Sequence, residues 1–218
     1  MIPAEFVRSA TRLAAVPLAP ELTLHLATDI YAVWEQTEAE LGRRELPPPF
    51  WSVAWPGGQA LARYLLDHAD QVAGRTVVDY GSGSGLVALA AAKAGAAVVI
   101  AGEPDPLARA AVALNAAANG LPVPVCVGDI EASDQAPDLV VAGDVWYEKE
   151  LAGLVAAYLG KAAGNGARVL MGDIGSAGRK YFPRTGYRRL ASYELPSTVA
   201  LEGREQVTAS VWEACGAG

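Results

Sequence analysis

The residues able to do chemistry begin at Val77-Val78-Asp79-Tyr80-Gly81-Ser82-Gly83-Ser84-Gly85. An apolar run ends in a carboxylate, three glycines follow at every second position, and an alanine-rich stretch, 86–94, comes next. Glycines let a backbone approach a ligand closely, and a helix start offers unpaired N–H groups, so the segment reads as a nucleotide-cofactor cradle. Its G-x-G-x-G spacing is not the G-x-G-x-x-G of a dinucleotide turn. Asp79, two residues ahead of the first glycine, would repel a pyrophosphate and suits the ammonium of an amino acid. Glu103 closes the next apolar run, where one carboxylate can accept both hydroxyls of a ribose. Its plainer reading is a solvated strand-end acid. Asp129, in Val-Gly-Asp-Ile, could accept from an adenine amino group with Ile130 packed on the ring, or be a turn acid.

This pattern resembles motif I of the class I S-adenosyl-L-methionine (SAM)-dependent methyltransferases, whose cofactor carries a methionine head. Gly143-Asp144-Val145-Trp146-Tyr147-Glu148 follows a later apolar strand. Ligands of open parallel sheets bind beyond the carboxyl ends of the strands, which places this segment beside a transferable methyl. Displacement at a sulfonium needs a positioned neutral nucleophile, tolerance of positive charge and exclusion of water. Asp144 can hold an amine, and Tyr147 offers a ring face and a hydroxyl. The alternative is an N-cap aspartate followed by packing aromatics. Trp51 and Trp55 lie in Phe-Trp-Ser-Val-Ala-Trp-Pro-Gly-Gly-Gln, where they either pack the core or wall the site.

Alternating elements must position these groups. Helical periods over 59–68, 85–94, 106–119 and 149–163 alternate with extended stretches at 75–80, 97–101, 123–127, 137–142 and 168–172. This predicts an α/β fold: a Rossmann-like, seven-stranded, mostly parallel, doubly wound sheet. Extended stretches at 187–194, 198–202 and 206–213 give it an antiparallel C-terminal end. Asp105, followed by Pro106, reads as a helix N-cap. Upstream, 22–27 reads as a short strand and 28–41 as a helix that Asp29 helps to start; Pro47-Pro48-Pro49 then forces extension. Residues 1–50 are therefore expected to form an N-terminal extension or lid, not an independent domain, and 51–218 the catalytic domain.

Hydrophobic residues make up 52% of the 218, enough for a large core in one domain. No signal-peptide pattern opens the chain, and a reduced cytoplasmic setting is expected, with Cys126 a small buried hydrophobe. His25 and His68 read as ordinary residues, and no clustered ligands suggest a metal. The net charge of −7 and the absence of a long basic run argue against nucleic acid as partner, and no window suits a membrane.

Taken together, the proline–tryptophan segment, Val77–Gly85 as written above, Glu-Pro-Asp-Pro with Ala-Leu-Asn, Gly-Asp-Val-Trp-Tyr-Glu and Val-Leu-Met-Gly-Asp resemble one group. These are the seven-β-strand protein lysine methyltransferases that act on the electron-transfer flavoprotein β-subunit. The resemblance implies that Asp79, Gly81, Ser82, Gly83 and Gly85 hold the methionine part of SAM. It places Glu103 and Pro104 at the ribose, Asp129 and Ile130 at the adenine, and Trp55 and Gly143 against the cofactor. Asp144 and Tyr147 match its D-x-x-Y signature at the target lysine, the protein partner being the flavoprotein β-subunit or one like it. Small-molecule amine methylation and a non-catalytic SAM-binding module remain alternatives. One departure is Gly172-Asp173-Ile174-Gly175-Ser176-Ala177-Gly178-Arg179, longer than the family's compact G-D-P-G-R. A lysine ammonium, with a pKa of ~10.4, must lose its proton before attack, and burial beside a sulfonium promotes that loss without a catalytic histidine.

Overall fold

Apolar runs with little polar alternation become strands buried on both faces, as parallel strands must be. A computed structural model describes residues 2–122, 124–128, 130, 136–175, 179–196 and 206–215, without the side chains of Cys126 and Val127. Its sheet strands are β3 (Thr76–Tyr80), β4 (Val98–Gly102), β5 (Val125–Val127), β6 (Leu139–Gly143), β7 (Arg168–Asp173), β8 (Tyr187–Pro196) and β9 (Gln206–Ala214). They form one seven-stranded sheet in the order β5-β4-β3-β6-β7-β9-β8. The first five are mutually parallel; β9 runs antiparallel to β7, and β8 to β9. The expected doubly wound sheet with an antiparallel end is therefore present. The extended stretch read at 198–202, the burial of Cys126 and the placement of Asp129 lie outside the described residues.

Side-chain alternation divides the core into two layers. Val77, Leu139, Val141 and Leu170 face α3 (Pro56–Asp67) and α4 (Leu86–Lys93). Val78, Ile100, Val140, Val169 and Met171 face α6 (Lys149–Gly164). Leu86 to Ala91 of α4 are all buried, so its uniformly apolar sequence suits a helix covered on every side.

The N-terminal segment holds two elements absent from the sequence reading, α1 (Pro3–Ala10) and β1 (Arg12–Ala15). β1 pairs antiparallel with β2 (Thr23–Leu26), and α2 (Ile30–Leu41) follows, started by Asp29, whose side chain accepts from the Tyr31 N–H. α5 (Pro106–Ala118) takes most of this segment. Phe6, Val7 and Val33 pack with its Leu107, Ala108 and Ala111. Fully buried Asn115 of α5 accepts the His25 N–H at 2.7 Å and donates to the Ser84 carbonyl at 2.8 Å. One amide thus joins the N-terminal segment to the glycine loop. Both histidines are local fixtures: His25 Nδ1 lies 3.1 Å from Thr11 Oγ1, and His68 stacks on Tyr64 at the end of α3.

Candidate active site

The loop between β3 and α4 needs glycine at three places because Gly81, Gly83 and Gly85 have φ of +69°, +53° and +81°. A side chain on Gly83 would meet nothing nearer than Trp51 Cα at 3.9 Å, so this bend presents bare backbone to open space. Asp79 sits beneath it, 1% exposed. Its Oδ2 accepts from Ser82 Oγ at 2.7 Å and from the Ala88 N–H at 3.0 Å, tying strand end, loop and first turn of α4 together. Burial pushes its pKa up to about 7 against the pull of those two donors, with the Glu103 charge adding to the rise.

Glu103, just past β4, clips the loop from the other side. Oε2 accepts from the Gly83 N–H at 2.8 Å and Oε1 from the Asp105 N–H at 2.9 Å. Burial raises its pKa, and those two bonds oppose the rise. Each oxygen keeps a lone pair, so the carboxylate could still accept a diol. Arg109 fixes the turn by donating to the carbonyls of Glu103 and Pro104 at 2.8 and 2.7 Å. Asp105 caps α5 as read from the sequence, accepting from the Leu107 N–H with Pro106 at the first helical turn. Ile130 is buried over Gly102, where a Cβ would come within 2.9 Å of the Ile130 Cβ.

Two strands over, β6 ends at Gly143 with Asp144 next, β7 ends in Gly172-Asp173, and Gly143 pairs with Gly172. The start of α3 lies directly on this edge. A Cβ on Gly143 would come within 3.1 Å of the Gly58 Cα, and one on Gly172 would fall on the Gly57 carbonyl oxygen. Backbone-to-backbone packing therefore explains the paired glycines after Trp55 and at both strand ends. Asp144 is held in the left-handed region at φ +54°, where Asp and Asn are tolerated best. Its Oδ2 accepts the Gly58 N–H at 2.8 Å. The carboxylate thus caps α3 from another element, because Trp55 at the N-cap supplies no side-chain acceptor.

Tyr147 is 44% exposed, its ring centroid 5.1 Å from that of Phe50. Phe50 meets Trp55 edge-on at 5.7 Å, and Trp55 Nε1 donates to the Phe50 carbonyl at 2.8 Å. Burial, then Glu148 and Glu103, raises the Tyr147 pKa, keeping its hydroxyl protonated. Trp51 and Trp146 are instead core residues, each 2% exposed. Of the two tryptophans weighed for the rim, only Trp55 reaches it.

Sequence reasoning missed Asp173, Arg179 and Phe50 as site residues. Asp173 is fully buried beside Asp144, and Arg179 reaches both acids despite the longer loop before it. A usable signal existed: two apolar strands ending in Gly-Asp place two carboxylates side by side if the strands pair. The parallel strands carry Asp79, Glu103, Asp144 and Asp173 to one edge of the sheet. An amino-acid and ribose cradle at β3 and β4 therefore adjoins an acidic, aromatic-walled rim at β6 and β7, an arrangement that fits SAM beside an amine.

Comparison with known proteins agrees. The family described as "Ribosomal protein L11 methyltransferase (PrmA)" matches residues 59–145. A Thermus thermophilus 16S rRNA N2 methyltransferase, RsmC, solved with AdoMet and guanosine, has the same fold, with TM-score 0.58 and 17% identity over 94% of this chain and 49% of that one. The electron transfer flavoprotein beta subunit lysine methyltransferase of Rattus norvegicus is 38% identical over 206 residues, covering 90% of this chain and 77% of the rat protein. The Homo sapiens protein of that name is 37% identical over 205 residues, covering 89% and 75%. The glycine cradle, the D-x-x-Y rim and similarity along nine-tenths of its length make this chain a member of the SAM-dependent electron transfer flavoprotein β-subunit lysine methyltransferase family.

Proposed function

We propose that this protein methylates lysine ε-amines of the electron-transfer flavoprotein β-subunit, or of a protein presenting a similar lysine, in a cytoplasmic setting and without nucleic acid or membrane as partner. The single observation carrying this reading is Asp144, held by the Gly58 N–H at the carboxyl rim of the sheet beside the exposed ring of Tyr147. The acidic net charge disfavours nucleic acid. Methylation of a small amine is the weaker reading, because the relatives named above carry the name of a protein substrate.

In this reading Gly81, Ser82, Gly83 and Gly85 line the methionine part of SAM, with Asp79 beneath its ammonium. Glu103 and Pro104 face the ribose, and Asp129 and Ile130 the adenine; Gly143 and Trp55 bound the cofactor on the rim side. When bound, SAM supplies a methyl group made electrophilic by its sulfonium. Asp144 orients the substrate amine, and the Tyr147, Phe50 and Trp55 rings give its cation an aromatic wall while excluding water. The lysine proton leaves to solvent before nitrogen attacks. Incubation with methyl-labelled SAM and purified flavoprotein β-subunit tests this, and mass spectrometry should place the label on lysine. Label appearing only on small amines such as nicotinamide would overturn it.

Two results should accompany this reading. Asp79 titrates near 7 in the free protein, and an adjacent ammonium would favour its ionised form. SAM binding below pH 7 should then release a proton from Asp79. Affinity should rise with pH, by at most about tenfold per unit, and level off above 7. Calorimetry at pH 6 in two buffers of different ionisation heat reads that proton directly; no release would separate Asp79 from the ammonium. At the rim, Tyr147→Phe keeps the ring and should cost less turnover than Tyr147→Ala, by about tenfold against a hundredfold. Equal losses in steady-state rates would assign the effect to the hydroxyl.

A further inference from the structure

Arg179 turns back over the end of β7, its N–H donating to the Gly175 carbonyl at 2.9 Å. Its Nη2 lies 3.6 Å from Asp144 Oδ1 and its Nε 4.0 Å from Asp173 Oδ1. The arginine side chain is 15% exposed, the two carboxylates 7% and 0%. One guanidinium therefore faces two buried acids on paired strands. Two carboxylates so close in a dry site do not both ionise readily. Burial, then the Asp144 charge, raises the Asp173 pKa well above the usual carboxylate range, against the pull of Arg179 and the N–H groups of Gly175 and Ile174. Among the described residues, Glu148 and Glu103 also carry charge near this rim, where they raise the Tyr147 pKa. Arg179 thus brings a compensating positive charge to the pair.

We infer that Arg179 is a positioning residue that tunes the acceptor amine: by neutralising the Asp144–Asp173 pair, it keeps the site from trapping the incoming lysine as its ammonium. The inference rests on the reading that Asp144 faces that amine. An uncompensated carboxylate within about 4–6 Å would raise the amine's pKa by one to three units. The substrate would then bind well as an ion pair and react poorly, since its proton must reach solvent before the N–C bond forms. With Arg179 present, Asp144 can still orient the amine through a hydrogen bond, while its net field is cancelled at close range. Binding and reactivity are thereby separated, which a purely structural salt bridge would not do.

The test is the pH dependence of flavoprotein β-subunit methylation, at saturating SAM, for wild type, Arg179→Gln and Arg179→Lys. In Arg179→Gln the KM should fall or stay level. Its kcat at pH 7 should drop about tenfold, and its rising limb should move up about one pH unit, so that the rate approaches wild type near pH 9. Arg179→Lys keeps the charge and should keep the wild-type limb. A uniform loss of kcat across pH, or a KM raised severalfold, in an active Arg179→Gln would overturn the inference. A one-unit shift in Arg179→Lys would also overturn it, even if Arg179→Gln does not fold. A wild-type protein that labels no lysine would instead overturn the lysine reading, and the inference with it.

Discussion

Gly172→Ala should lower the melting temperature by about 6–12 °C, a loss of about 3 kcal/mol in a chain of this size. The added Cβ would fall on the Gly57 carbonyl oxygen and come within 2.7 Å of Leu61 Cγ, both in the first turns of a buried helix. Neither can yield cheaply: Leu61 is fully buried, and Gly57 is itself wedged against β7. The control is Gly153→Ala on the exposed face of α6, where no atom lies within 4 Å of the new Cβ. It should stabilise by about 0.5–1 kcal/mol through helix propensity alone. Differential scanning calorimetry on both variants decides the matter. A Gly172→Ala melt within a degree of wild type would show that α3 does not press on the sheet as tightly as described.

The largest functional effect should come from Asp144→Asn. Asparagine tolerates a φ of +54° as aspartate does, and its Oδ1 can still accept the Gly58 N–H. The cap and backbone therefore survive, and circular dichroism should stay close to wild type, while the loss of the charge facing Arg179 should lower the melting temperature. With its oxygen so committed, the amide would turn an NH2 toward the incoming amine, donor against donor. Turnover should fall at least about a hundredfold, or about 2.7 kcal/mol in the barrier, measured as kcat/KM on the protein substrate. Activity within threefold of wild type would leave Asp144 as the cap of α3 and nothing more.

Much of this molecule was legible before any coordinates. Runs such as Thr-Val-Val-Asp-Tyr and Leu-Val-Val-Ala-Gly mark buried parallel strands, and glycines at every second position mark a loop with repeated positive φ. The carboxylates closing β3, β4 and β6 were therefore found from type and position. What stayed hidden depends on contacts between distant segments. Pro3–Ala10 carries short helix signals, proline at its start, Glu5 in its first turn and Arg8 in its last, but eight residues gain their burial only from α5, and Arg12–Ala15 is a strand only because its backbone pairs with β2. Likewise, only the register that places Gly143 beside Gly172 reveals that Asp144 and Asp173 are neighbours. Arg179 follows an atypically long loop, so spacing alone pointed away from it.

The bond from the Gly58 N–H to Asp144 has a spectroscopic consequence. An amide proton resting on a carboxylate shifts in resonance as that carboxylate gains or loses charge or is drawn toward another cation. The Gly58 nitrogen is thus a native reporter on the candidate rim, placed by the fold where no label could be attached without disturbing it. Isotopic enrichment in glycine alone would let magnetic resonance follow the arrival of a lysine and the titration of the acid pair from one backbone position.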